Sequence, residues 1–513
     1  MRRSRIALAA ALLAFFATAA SAAAFSQPKQ LYSKHGVMRA TFVARAGDVT
    51  MAGKRVAGGM TINGQFPAPT LNVHAGDTIK IKFVNKLGES TNIHFHGLHV
   101  SPAGISDNIF RRFKNGGTYE VVVKIPHDHP NGLFWYHPHL HGSVNDQVLR
   151  GYAGMISVSG GSNRVKSLDK FRGTQIGLNL TQFSADGKSV VNPNDESDAS
   201  STTTVNGQVG QTLSMRPGET RMLRIANMSN EGFYKLQLDG HELWVVRIDG
   251  NPVRVAQRVS TILLAPGSRY EVLVKAGAAG DYKLRQLPYF EGFNNFPAQD
   301  LLTLTVAGAT TKSQPVPHHV KSFEDLSRAK VAVRRNWVLS FSPDSAPVFK
   351  AMINGKTFDP QRIDSRAKLG QVEEWTFINE TSEDHPIHLH TNDFQVVAVN
   401  GQRRRPAAPI DNTILPRNGS ISVRFRPQTY TGLAVFHCHI LFHEDSGMMA
   451  TIRYLPASAK GSASVVEPAG VSVHDEAVAG EQIFEPAGDA DASSVDPGYL
   501  LFCRLYGLPV KRR

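Results

Sequence analysis

Residues 437–448 read His-Cys-His-Ile-Leu-Phe-His-Glu-Asp-Ser-Gly-Met. A cysteine lies between two histidines, with a third histidine five residues past it and a methionine ten past it. Cys438, His443 and Met448 supply three of the four ligands of a blue-copper centre: a thiolate, an imidazole and a weak axial thioether. His437 and His439 are not needed there. Side chains alternate along a strand, so these two point away from Cys438 and are free to serve a second metal site.

The other histidines say what that site is. The chain has 20 histidines in 513 residues, a frequency at which about one His-x-His pair is expected by chance. Six occur. Four of them fall into a pattern: His94/His96, His137/His139, His388/His390 and His437/His439, with His385 preceding the third. The strings His-Phe-His-Gly-Leu (94–98), Trp-Tyr-His-Pro-His (135–139), His-Pro-Ile-His-Leu-His (385–390) and His-Cys-His (437–439) resemble the four copper-binding segments of the multicopper oxidases, the laccase-like family. The resemblance covers roughly residues 30–456.

An internal repeat supports three units independently. Asn63-Gly64-Gln65, Asn206-Gly207-Gln208 and Asn354-Gly355-Lys356 start 143 and 148 residues apart, one domain length each. Each triplet precedes a strand ending near Asn85, Asn227 or Asn379. Thr78–Phe83 alternates polar and apolar residues, as a half-buried strand requires, and long amphipathic helical stretches are scarce. The expected fold is all-β: three consecutive Greek-key β-sandwich domains, which the resemblance sharpens to cupredoxin-like. The expected organisation is an export signal over 1–24, domains over 25–165, 166–312 and 313–456, and a low-complexity, largely disordered tail over 457–513. His94 and His388 each lie nine residues past the strand-ending asparagine; the middle repeat has Leu236 and Leu238 at the equivalent positions. The middle domain is therefore expected to carry no ligands and to act as a spacer, while the eight paired histidines meet across the first and third. Gly132-Leu133 before His137 parallels Gly432-Leu433 before His437, and Cys438 occupies the place of Pro138.

The resemblance implies four copper ions. His385, Cys438 and His443 would hold the type 1 copper, with Met448 axial. His94 and His388 would hold the type 2 copper. His96, His137, His139, His390, His437 and His439 would hold the type 3 pair. Four coppers store the four electrons that reduce dioxygen to two waters. Water formation also needs protons, and Asp107 and Glu444 match the placement of family acids on the proton path. The competing reading of each is a solvated loop carboxylate.

Other features read as structural. His127/His129, between Pro126 and Pro130, reads as a surface loop; His99 and His241 read as structural, and His141 as a neighbour of the ligands at most. Met1-Arg2-Arg3-Ser4-Arg5 and the apolar run from Ile6 to about Ala20 form an export signal, too short for a spanning helix. Arg2-Arg3 suggests the twin-arginine route, although Ser4-Arg5 stands where that signal usually has hydrophobic residues. The periplasm is the expected compartment. Net charge falls from +13 to +10 when Arg2, Arg3 and Arg5 are removed. Export and the lack of an aromatic-basic motif argue against a nucleic-acid partner. Cys503 is the only cysteine besides Cys438, so no intrachain disulfide is expected.

The expected activity is a copper oxidoreductase taking single electrons from phenols or aromatic amines, with dioxygen as acceptor, in a monomer. A cuprous-ion oxidase is the alternative within the same chemistry, disfavoured by the lack of a Met-rich insert. A non-catalytic copper-binding or assembly protein on the same fold is the alternative of another class.

Overall fold

The three Asn-Gly pairs of the repeat form three tight turns. Asn63, Asn206 and Asn354 adopt φ of 56°, 50° and 52°, followed by Gly64, Gly207 and Gly355 at 68°, 81° and 68°. Two successive left-handed residues make the hairpin turn whose twist matches its flanking strands. The turns close alike: Ile62 faces Gln65, Val205 faces Gln208 and Ile353 faces Lys356. The asparagine Oδ1 atoms accept backbone N–H groups from Val43, Gly177 and Val338 at 2.8, 2.7 and 2.7 Å. Each side chain thus ties its turn to the opening strand of its unit.

The computed structural model describes residues 23–191 and 200–459. The expected export signal, apart from its last two residues, lies outside the described residues, as do Cys503 and the tail beyond 459. Three pairs of sheets follow one another along the chain. The opening strand of each unit pairs in parallel with the strand that follows its Asn-Gly turn by one strand: Val37–Met51 with Thr78–Lys86, Arg172–Phe183 with Thr220–Asn227, and Val333–Phe341 with Glu373–Asn379. In the companion sheets Ala68–His74, Gln211–Met215 and Ser365–Lys368 pair in parallel with Gly154–Ser159, Gln299–Val306 and Met449–Leu455. The repeat is thus a mixed two-sheet sandwich, the cupredoxin-like architecture, and all three units share it. Among the described residues the only α-helices are Val144–Leu149 and Leu441–Asp445. No helix among them is long and apolar enough to cross a membrane.

Period-two alternation decides which faces meet. In Thr78–Lys86, Ile79, Ile81 and Phe83 are buried in the first unit's core, each contributing about 1.5–3 kcal/mol. Leu236 and Leu238 are buried in the middle unit's core. Leucine at those positions continues the apolar layer where histidine in the outer units turns toward a polar centre. The second and third units share one continuous core. Leu133, Trp135 and Met155 pack on Ala226 and Met228 between the first and second units, and Ile109 packs on Val435 and Met449 between the first and third. Residues 23–25 run beside Gln211–Met215 of the middle unit: Phe25 donates its N–H to Thr212 O at 2.9 Å.

The asparagines that end the repeat strands explain how the histidines are delivered. Asn379 Nδ2 donates to Glu383 O at 2.7 Å and Pro416 O at 3.1 Å, while Oδ1 accepts from Thr381 N at 2.9 Å. Asn85 and Asn227 make the equivalent bonds, to Glu89 and Phe113 carbonyls and to Gly232 and Leu264 carbonyls. In the third unit this turn feeds directly into His385. Asn379→Ala would strand several buried polar groups, at about 1–3 kcal/mol each. The variant should melt several degrees below the wild type when both are metal-free. Coincident melting curves would remove the turn from this role.

Candidate metal centres

In the third unit Cys438, His385 and His443 converge. Cys438 Sγ lies 3.4 Å from His385 Nδ1 and 3.8 Å from His443 Nδ1. The other ring nitrogens are held from outside: His385 Nε2 by Thr381 Oγ1 at 2.7 Å, His443 Nε2 by Glu383 Oε2 at 3.3 Å. Both partners lie on the turn that Asn379 pins. Met448 is fully buried, and its backbone bonds to Cys438 N at 3.1 Å and His443 O at 2.9 Å. Burial pushes the Cys438 thiol well up in the metal-free protein, so a bound cation would be what holds the thiolate.

The eight paired histidines meet between the first and third units. The two units present them in the same register: His94 faces His137 across one strand pair, and His388 faces His437 across the other. The units interleave ring on ring. His94 stacks on His390 with centroids 4.1 Å apart, and His96 stacks on His388 at 3.8 Å. His96, His137 and His439 form one group with ligand nitrogens within 4.8 Å of one another; His139, His390 and His437 form a second; His94, His96 and His388 form a third.

The outward nitrogen holds several of these rings in place. His94 Nδ1 is 3.0 Å from Asp107 Oδ1, His137 Nδ1 is 2.8 Å from Pro138 O, and His388 Nδ1 is 2.8 Å from Asp411 O. The Nε2 atoms of these three rings are buried with no hydrogen-bond partner. An orphaned buried nitrogen costs about 1–3 kcal/mol, and a bound cation would relieve it. The donors available are imidazole and thiolate, a set that suits copper. His96 is turned the other way, with Nδ1 3.2 Å from His439 Nε2 and Nε2 3.3 Å from Asp411 Oδ1.

Both acids picked out from the sequence are buried, which overturns their reading as solvated loop carboxylates. Asp107 accepts the Phe95 N–H at 3.0 Å besides facing His94, and burial pushes its carboxyl up to about 8. Glu444 reaches across the units, with its oxygens 3.3 Å from His139 Nδ1 and 3.1 Å from His437 Nδ1, though neither contact has hydrogen-bond alignment. The surface-loop reading of His127/His129 holds for His127 alone. His129 is buried, donates from Nδ1 to Pro130 O at 2.8 Å and accepts the His99 N–H at 3.0 Å, because the proline-flanked turn folds inward onto Phe134. His99 pairs with Asp393 at 3.0 Å, and His141 is exposed beside Phe358.

Sequence reading missed Thr381, Glu383 and Asp411. The first two lie within four residues of His385, and an acid beside a candidate ligand is a usable signal. Asp411 has no such signal, being 21 residues past His390.

Multicopper oxidase family models match residues 44–163, 180–307 and 313–458. The chain belongs to the multicopper oxidase family. It is 27% identical over 430 residues to a multicopper oxidase of Staphylococcus haemolyticus, covering 82% of this chain and 89% of the relative. It is 26% identical to a laccase of Melanocarpus albomyces, covering 78% and 75%. Among solved structures, a Campylobacter jejuni multicopper oxidase described as a metallo-oxidase superposes with a TM-score of 0.72 at 25% identity, covering 84% of this chain and 95% of that one. Multicopper oxidases are copper oxidoreductases that use dioxygen, and the histidine-rich sites accord with copper as the metal.

The histidine cluster sets a pH dependence. Burial first, then for most of these rings neighbouring imidazoles, lower His94, His96, His139, His388, His390 and His439; burial lowers His137, His385 and His443 too. A folded-state value below the unfolded 6.5 gives stability that is complete above 6.5 and lost as pH falls through it. Burial raises Asp107, Asp249 and Asp445 to about 8 and Glu231 and Glu383 to about 7, which acts in the opposite sense, but these five acids are outnumbered by the nine histidines. The melting temperature of metal-free protein should therefore fall between about pH 7 and pH 5. Calorimetry in the presence of a chelator measures this, and a flat profile contradicts it.

Proposed function

We propose that this multicopper oxidase is laccase-like, oxidising phenols or aromatic amines one electron at a time and reducing dioxygen to water. The observation that carries the reading is the full set of twelve candidate ligands, with three orphaned Nε2 atoms converging beside a separate thiolate group. His385, Cys438, His443 and Met448 would hold the type 1 ion. His94 and His388 would hold the type 2 ion. The groups His96/His137/His439 and His139/His390/His437 would hold the type 3 pair. When bound, copper supplies one-electron oxidation at the first site and four-electron reduction of dioxygen at the second.

The chain's own residues do the rest. His443 carries the outer edge of the thiolate site, among the rings of Phe341 at 5.1 Å, Phe442 at 6.1 Å and half-exposed Phe349 at 6.1 Å. This aromatic rim supports an organic donor. Glu383, on His443 Nε2, is placed to accept the proton a phenol loses. Cys438 shares its backbone with His437 and His439, so a short through-bond path joins the two sites. Asp107, beside His94, and Glu444, beside His139 and His437, are placed to pass protons to the histidine cluster. A separate observation favours a cuprous-ion donor: Glu291 lies near enough to Glu383 to help burial push its carboxyl up to about 7, and such a carboxylate pair would attract a cation. The basic residues Arg2, Arg3 and Arg5 and the apolar run after them, read as an export signal, support a periplasmic location.

Copper analysis separates enzyme from carrier. About four coppers per chain are expected, and one or none sinks the reading, as would a Cys438→Ser protein that stayed blue and active. Oxygen uptake with a phenol should exceed that with cuprous ion; the reverse order establishes the metal-ion alternative. Glu383→Gln should slow phenol oxidation about 10-fold or more, in line with loss of a proton acceptor. Ferrocyanide, which has no proton to give, should be oxidised at close to the wild-type rate. Equal slowing of both donors removes Glu383 from proton transfer.

A further inference from the structure

The middle unit carries no candidate ligand, yet its Arg269 lies 1% exposed at the junction of all three units. Strand Arg269–Lys275 begins there, directly after a turn at Pro266–Ser268. The guanidinium forms a fork with Asp411 of the third unit: Nη1 donates to Oδ1 at 2.7 Å and Nη2 to Oδ2 at 2.5 Å. It also donates from Nε to Leu133 O of the first unit at 3.3 Å and from Nη1 to Gly267 O at 3.1 Å. Asp249 backs it from within the middle unit, accepting the Arg269 N–H at 2.9 Å and the Asn412 N–H at 3.2 Å.

Asp411 is the residue that faces the histidines. Its Oδ1 is 3.3 Å from His96 Nε2 and 3.4 Å from His388 Nδ1, and its carbonyl accepts from His388 Nδ1. Seven of the eight paired histidines turn Nε2 toward the cluster; His96 turns Nδ1. A carboxylate accepts but does not donate, so Asp411 fixes the proton of His96 on Nε2 and leaves the Nδ1 lone pair facing inward. A buried carboxylate keeps that role only while its charge is matched, and Arg269 matches it in a bidentate geometry. The middle unit touches the cluster a second time at Gly267. A Cβ there would come within 2.9 Å of the His439 ring, and the residue's φ is +84°.

We propose that Arg269 is a positioning residue for the trinuclear centre: through Asp411 it sets the tautomer of His96 and the orientation of His388, so the ligand-free unit completes the site. This rests on the trinuclear reading above. Other proteins orient metal-bound histidines through outer partners in the same way, and loss of such a partner typically costs 10–100-fold in metal affinity or activity.

The test is copper loading of full-length Arg269→Gln beside the wild type, with the blue absorbance of the Cys438 site as internal standard for a folded third unit. The wild type should bind about four coppers per chain. The variant should keep its blue absorbance, lose copper toward one per chain and lose or alter the type 2 EPR spectrum. Wild-type copper content with an unchanged type 2 spectrum overturns the proposal. If Arg269→Gln does not fold, Arg269→Lys takes its place, because it keeps the charge without the fork. A changed type 2 spectrum at constant blue absorbance then supports the proposal, and an unchanged one overturns it. A wild type that binds only the blue ion would overturn the trinuclear reading itself, and the proposal with it.

Discussion

Eight imidazoles brought to one dry point cannot take up protons cheaply, because burial disfavours the first charge and repulsion each further one, and this constraint shapes the surrounding structure. The rings must stay neutral with lone pairs facing inward, so an outward nitrogen needs an acceptor behind it. Those acceptors are the Pro138, Asp411 and Cys438 carbonyls and the Asp107 and Asp411 carboxylates. They come from the ends of strands and the loops after them, where backbone carbonyls are not already committed to a ladder. A β-sandwich supplies many such ends close together, and two sandwiches face to face supply them for five of the eight rings.

The repeat and the histidine strings were legible because each is local. An asparagine at positive φ followed by glycine is a turn whatever surrounds it, and His-x-His on a strand puts both rings on one face. Cys438 between His437 and His439 was legible for the same reason: alternation alone separates the thiolate from its neighbours. The burial of Asp107 and Glu444 was not, because it depends on which unit closes over them. Glu444 meets His139, a residue 305 positions earlier in the chain. His129 was misread in part because proline punctuation marks a turn without saying which way it folds.

The middle unit shows where reading by position fails. Comparing repeats shows that Leu236 and Leu238 stand where the outer units have histidines, and this invites the conclusion that the unit only holds the others apart. Arg269 is 142 residues from Asp411 and 136 from Leu133, so no window of sequence contains the arrangement. Burying a guanidinium beside a histidine cluster makes physical sense only with carboxylates at hand, and Asp249 and Asp411 come from different units. A unit without ligands can still carry the charge balance of a site.

The strand Gly432–Cys438 is paired on both sides, with Met449–Leu455 along one edge and His385–Leu389 along the other. Because residues alternate faces, a slip of one position would exchange the two chemistries, turning the sulfur into the imidazole cluster and an imidazole toward the sulfur's pocket. An edge strand can shuffle past its neighbour, whereas a strand gripped from both sides must break two ladders to move. Its central place in the sheet therefore guards the register, keeping each candidate ligand atom in its own compartment.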